Sequence, residues 1–158
     1  MEEIYQATPK NMWQQQDLAL SAEALDLFLN FVDEIDLRKF SVSRSAEGAP
    51  TINIAGVAVS VRPELHLRVA GSNTVAGAVK LYISKRGPLE DDAALYVGSI
   101  LHQYMNEVLT PGAKIEAKNC MVIDVFAQRI YTAPSSFKQR RRDIVAACEE
   151  IVRAWPAA

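Results

Sequence analysis

Apolar residues recur at helical spacing in the first part of the chain. From Ser21, the run SAEALDLFLNFVDEI places Leu25, Phe28, Leu29, Val32 and Ile35 on one helix face, with Ser21 as the predicted N-cap. Residues 1–13 read as a loose lead-in anchored by Trp13. The pattern then changes to alternation with β-branched residues, predicting strands near 39–45 and 51–61 around a Glu47-Gly48-Ala49-Pro50 turn. Pro63 cannot donate to a ladder and marks a strand end or edge. Strands over 64–70 and 77–85 follow, joined by the turn Gly71-Ser72-Asn73. Gly87-Pro88 leads into a helix whose first turn gathers Glu90, Asp91 and Asp92, the charge its dipole favours. Ala94, Val97, Leu101, Met105 and Val108 form its apolar stripe, and Pro111-Gly112 ends it. Two more strands, CMVIDVF and RIYTA, precede a last helix that starts at Pro134-Ser135-Ser136 and runs to Trp155. Its predicted core stripe is Phe137, Ile144, Cys148, Ile151, Val152 and Trp155.

This order predicts an α+β fold: one mixed or antiparallel sheet of about five to six strands with three packed helices. The 158 residues suit a single domain over 1–158, and 49% hydrophobic with 23% charged residues is ordinary globular composition. A net charge of −2 calls for neither nucleic acid nor a membrane surface. The charge is uneven, with six Lys/Arg against ten Asp/Glu in residues 1–79 and eleven against nine in 80–158. That asymmetry slightly favours an anionic partner for the second half. Cys120 and Cys148 lie in separate apolar runs without a second ligand at metal spacing, so they read as core residues and no metal site is expected. The start MEEIYQATPK has no apolar signal core and no stretch is long enough to span a bilayer, so a cytoplasmic, non-membrane protein is expected.

The candidate chemistry starts in VRPELHLRVAG, where Arg62, Glu64, His66 and Arg68 alternate with apolar residues. In GAVKLYISK the polar set is Lys80, Tyr82 and Ser84. Pairing of the two strands would gather Glu64, His66, Arg68, Lys80, Tyr82 and Ser84 on one sheet face, with Leu65, Val79, Leu81 and Ile83 on the other. A carboxylate and a lysine on adjacent strands can hold a divalent metal and polarise a phosphate. The plainer alternative is the solvated face of a hairpin, laced by cross-strand ion pairs.

The segment from Arg62 to Met105 resembles the core of the PD-(D/E)xK nuclease fold in its RecB-type exonuclease branch. That pattern has an acid on one strand, a hairpin, a strand carrying acid–x–Lys, and an amphipathic helix. The resemblance implies Glu64 as the first acid and Lys80 as the signature lysine, and so makes them candidate catalytic residues. The second acid would stand at position 78, where this chain has Ala78. The Gln and Tyr of the family's helix are replaced by a looser pattern with Tyr96 and Tyr104. The resemblance therefore implies a relative with a degraded site, since metal hydrolysis there lacks a ligand. Glu116-Ala117-Lys118 also spells acid–x–Lys, but a helix separates it from the Glu64 strand, and it reads as an exposed strand start.

Two further features carry charge. Asp124 lies within MVIDVF, apolar on both sides, so it must be paired, protonated or at a site mouth; an arginine is the expected partner. Arg140, Arg141 and Arg142 stand in the first turns of the last helix, where the dipole disfavours cations. Arg140 and Arg141 flank the core stripe, while Lys138 and Arg142 point elsewhere. With Ser135 and Ser136 they would make an anion receptor for phosphate or carboxylate, unless Asp124, Asp143 or Glu64 supplies the charge internally.

These features lead to an expected anion-binding, nucleic-acid-associated domain of a catalytically degraded PD-(D/E)xK-like fold, with nucleic acid or a phosphorylated ligand as partner. A non-enzymatic protein–protein assembly module, docking a protein partner or a second copy, is the alternative. An active metal-dependent nuclease is third; magnesium would be its cofactor, and otherwise no cofactor is expected.

Overall fold

The computed structural model describes residues 10–155 apart from positions 34, 36, 38 and 47. Helix α1 spans Met12–Val32, and strands β1 (Phe40–Arg44), β2 (Ile52–Ile54), β3 (Val57–Val59), β4 (Leu65–Val69) and β5 (Val75–Tyr82) follow. Helix α2 (Asp91–Tyr104) then leads to β6 (Cys120–Asp124), β7 (Arg129–Thr132) and helix α3 (Lys138–Ala154). The fold is α+β. A five-stranded mixed sheet runs in the order β1-β4-β5-β6-β7, and β2 with β3 forms a separate two-stranded sheet. All neighbours in the large sheet are antiparallel except β5 and β6, which run parallel from Ala78↔Cys120 to Tyr82↔Asp124. A parallel pair needs a crossover, and α2 supplies it.

The sheet is packed on both faces. On one side Ala24 and Phe31 of α1, with half-buried Leu27, Phe28 and Val32, cover Leu67, Val79, Met121 and Ile123. On the other, Leu101, Tyr104 and Met105 pack with Ala78, Cys120, Ile52, Ile54, Ile144 and Cys148. Helix α2 lies over β5, β6 and β7, and α3 packs on α2 and on the β2–β3 hairpin. Beyond α2 the chain widens into a π-helical turn over Met105–Leu109, closed where the Thr110 N–H donates to Met105 O at 2.9 Å.

Several boundaries differ from expectation. Asn11, not Ser21, caps α1, its side chain accepting from Gln14 N at 2.8 Å. Trp13 is helical and 74% exposed, so it is not a buried anchor among the described residues. The rest of the predicted lead-in, residues 1–9, and Glu47 of the predicted turn lie outside the described residues. The strand expected over 51–61 is a hairpin, because Ala55 and Gly56 both take positive φ (47° and 88°) and Asn53 Oδ1 accepts from Gly56 N. Two consecutive positive φ values make the tight turn that matches strand twist. Strand β5 ends at Tyr82, leaving Ile83 exposed beyond it. Residues Ala117–Asn119 form a 3-10 turn where a strand start was expected. Helix α3 begins at Lys138, and of its predicted core stripe Ile144 and Cys148 are buried. Ile151, Val152 and Trp155 remain 50%, 43% and 83% exposed, although Val152 lies beside Gly56 in the β2–β3 turn.

Candidate functional site

The β4–β5 register pairs Leu65 with Val79 and His66 with Ala78. Alternation therefore puts Glu64, His66, Lys80 and Tyr82 on one face and Leu65, Val79 and Leu81 on the other. Glu64 spends both carboxylate oxygens within this hairpin. Lys80 Nζ donates to Oε1 at 2.5 Å and the Leu81 backbone N–H donates to Oε2 at 2.6 Å. The same ammonium donates to Arg62 O at 3.0 Å. His66 Nε2 meets Ser45 Oγ at 3.0 Å, and Arg68 donates to Ser43 Oγ and to Asn73 O. Partial burial, reinforced by the Arg68 charge, pushes the His66 pKa below its ordinary 6.5. Tyr82 OH reaches Gly87 O at 3.4 Å.

Ala78 is fully buried among Ile52, Ile54, Tyr104 and Cys120. A carboxylate at this position would sit in apolar core rather than at a surface where metal and substrate meet, and desolvation would oppose its ionisation. Glu64 and Lys80 neutralise each other, and among the described residues no three His, Cys, Asp or Glu side chains converge to hold a metal ion. Of the tyrosines on α2, Tyr96 donates to Asp143 Oδ2 at 2.9 Å, tying α2 to α3. Tyr104 is fully buried, and its hydroxyl has no partner among the described residues.

Asp124 is fully buried at the end of β6. Its hydrogen bonds go to backbone rather than to the expected arginine: Oδ2 accepts from Leu89 N at 2.7 Å and Oδ1 from Ala127 N at 3.0 Å. The carboxylate thus pins the β6–β7 turn to the segment entering α2. Charge-assisted bonds to two amides compensate its burial, and Arg129, its cross-strand partner, adds a positive charge at longer range.

At the start of α3, Phe137 is the N-cap residue and makes no side-chain cap bond; Ser135 and Ser136 are exposed in the loop before it. Arg140 pairs with Asp92 at 3.1 Å and lies over the Tyr96 ring. Arg141 stacks on Phe137, its guanidinium carbon 4.2 Å from the ring centroid, and meets Glu107 at 3.7 Å. The internal counter-charges are therefore Asp92 and Glu107, and not Asp124, Asp143 or Glu64 as expected. Lys138 and Arg142 are exposed. The Nε atoms of Arg140 and Arg141 are buried without partners among the described residues.

Sequence patterning missed His102, whose ring is buried beside Arg141. Its Nε2 lies 2.9 Å from Ile115 O, while Asn106 one turn on bonds both His102 O and Ile115 N. The only advance signal was a polar His–Asn pair at i, i+4 near the end of an apolar stripe. No family model matches the chain, and no curated protein matches it significantly; what these residues can do follows from their own geometry.

Proposed function

We propose that the protein is a non-enzymatic docking module that binds another protein through the outer end of α3. One observation carries this: Ile151, Val152 and Trp155 continue the stripe of Ile144 and Cys148 but are exposed. Clustered large apolar side chains left in water mark an interaction surface more often than a neutral one. Trp155, 83% exposed, has the size and amphipathic character of an interface anchor. Against nuclease chemistry stand the internal neutralisation of Glu64 by Lys80 and the core position of Ala78. Pairing of Arg140 with Asp92 and of Arg141 with Glu107 also reduces the basic run that phosphates would meet.

The test compares the wild type with an Ile151→Ser/Trp155→Ser double variant. Partners recovered from native cells are identified at low salt and at about 0.5 M salt, where phosphate contacts weaken steeply. The expected outcome is one protein partner retained at high salt, lost in the double variant, with the melting temperature nearly unchanged. Salt-sensitive DNA binding that the double variant keeps would overturn the proposal and favour a nucleic-acid-associated role.

A further inference from the structure

The cavity beside the start of α3 has a chemistry that docking through the far end of that helix does not use. It has a volume of about 430 Å³ and is lined by residues including His102, Lys114, Glu116, Ser135, Phe137 and Arg141. Its walls are held firmly. Asn106 bridges His102 O and Ile115 N, and His102 closes on Ile115 O, which clamps the loop after the π turn against α2. A carbonyl oxygen can only accept, so His102 Nε2 donates to Ile115 O. The other ring nitrogen, Nδ1, faces Arg141 Nη2 at 3.5 Å.

Arg141 is the under-compensated member of the cluster. Its contact with His102 is long, Glu107 is 3.7 Å away, and the buried Nε has no acceptor among the described residues. Burial lowers its pKa, and Glu107 offsets this only in part. A partly desolvated guanidinium that lines a cavity favours an additional anion there, because burial weakens the solvation of its charge and the 3.7 Å contact with Glu107 only partly replaces it. Lys114 brings a second cation to the same cavity and Ser135 a hydroxyl. The one carboxylate on the rim, Glu116, is paired with Lys118 at 2.7 Å.

We infer that this cavity binds the phosphate group of a small phosphorylated molecule, held by Arg141 and Lys114 with Ser135 as an added donor. A dianion matches the two cations, and the guanidinium fork suits tetrahedral oxygens. The volume lies in the usual range of about 300–1,000 Å³ for small-molecule sites, which leaves room for an organic body behind the phosphate. This site differs from an anion receptor on the helix amides: Arg140 and Ser136 do not line it, while His102 and Lys114 do.

The chain has two histidines, so imidazole NMR gives a probe in the site and a control outside it. Inorganic phosphate, and separately glycerol 3-phosphate, is titrated into the protein at fixed pH and ionic strength, with sodium chloride as the matched control. Saturable shifts of the His102 ring signals, with those of His66 unmoved, are expected with both probes. Lys114→Ala, an exposed change that leaves the fold intact, should weaken binding about tenfold. Arg141→Lys, which keeps the charge and loses the fork, should weaken it at least as much. Tighter binding of the monoester points to a phosphorylated metabolite, and equal binding to free phosphate as the natural ligand. Shifts that chloride reproduces, that never saturate, or that both variants retain unchanged would overturn the inference.

Discussion

Glu64 and Lys80 close on each other across the β4–β5 hairpin, and the second oxygen of Glu64 takes the Leu81 N–H as well. The pair is thus a strand clip. Glu64→Ala should destabilise the fold by about 1–2 kcal/mol, the cost of one charge-assisted amide bond plus a partly exposed ion pair. Glu64→Gln keeps an acceptor for Leu81 and should cost less. Purified protein with magnesium or manganese should leave DNA intact, and cleavage that Lys80→Ala abolishes would restore the nuclease alternative.

Asp124 should be far more sensitive. Its two oxygens serve Leu89 N and Ala127 N with no solvent in reach, so Asp124→Ala strands two buried donors. A loss of about 3 kcal/mol or more is expected, read as a lower urea midpoint with an unchanged slope. Asp124→Asn, which retains one acceptor, should lie between. A cost within about 0.5 kcal/mol for the alanine variant would mean that the two segments are held by something else.

Acidification gives a third test. The pKa of His66 is held below 6.5 in the fold, by burial first and Arg68 second. The unfolded chain therefore binds a proton more readily, and stability rises with pH across this window. Its contribution is intact above pH 6.5 and is lost as the pH falls towards the folded pKa. His66→Gln should flatten the dependence of melting temperature on pH below 6.5. An unchanged slope, or a ring titrating above 6.5 by NMR, would contradict this.

The Tyr104 hydroxyl is buried without a partner among the described residues, and burial raises its pKa. Tyr104→Phe removes a polar group that gains nothing in the core. The variant should match the wild type in stability or exceed it by up to about 1 kcal/mol in chemical denaturation. A clear loss would reveal an acceptor for that hydroxyl.

Much of this architecture is legible in the sequence wherever one face of an element is buried. The Glu64/His66/Lys80/Tyr82 alternation follows from strand geometry, and Ala94 and Leu101 mark the buried side of α2, which Met105 continues into the π-helical turn. Patterning fails where burial does not decide. The first turns of α1, with Gln14, Gln15 and Gln16, have no apolar period; the Asn11 cap and good helix formers hold them. Ile151, Val152 and Trp155 have the right spacing for a core, but spacing cannot show where the core stops. The partners of Asp124 are backbone amides, which no residue pattern displays. Arg140 and Arg141 stand out by sequence, whereas His102 and Lys114 join them only through the folding of the loop after α2.

The parallel pairing of β5 with β6 also sets an order of events in time. Ala78 meets Cys120 about forty residues later, and the whole of α2 must be made before the two can join. During synthesis, β1, β4 and β5 emerge first and can pair as an antiparallel unit, leaving the outer edge of β5 bare. That edge, carrying Val79 and Leu81, is the central strand of the finished sheet and has no built-in protection until β6 arrives. Nascent chains crowded on one message would therefore meet through β5 first, and slowing translation over residues 83–119 would lengthen the interval in which they can aggregate.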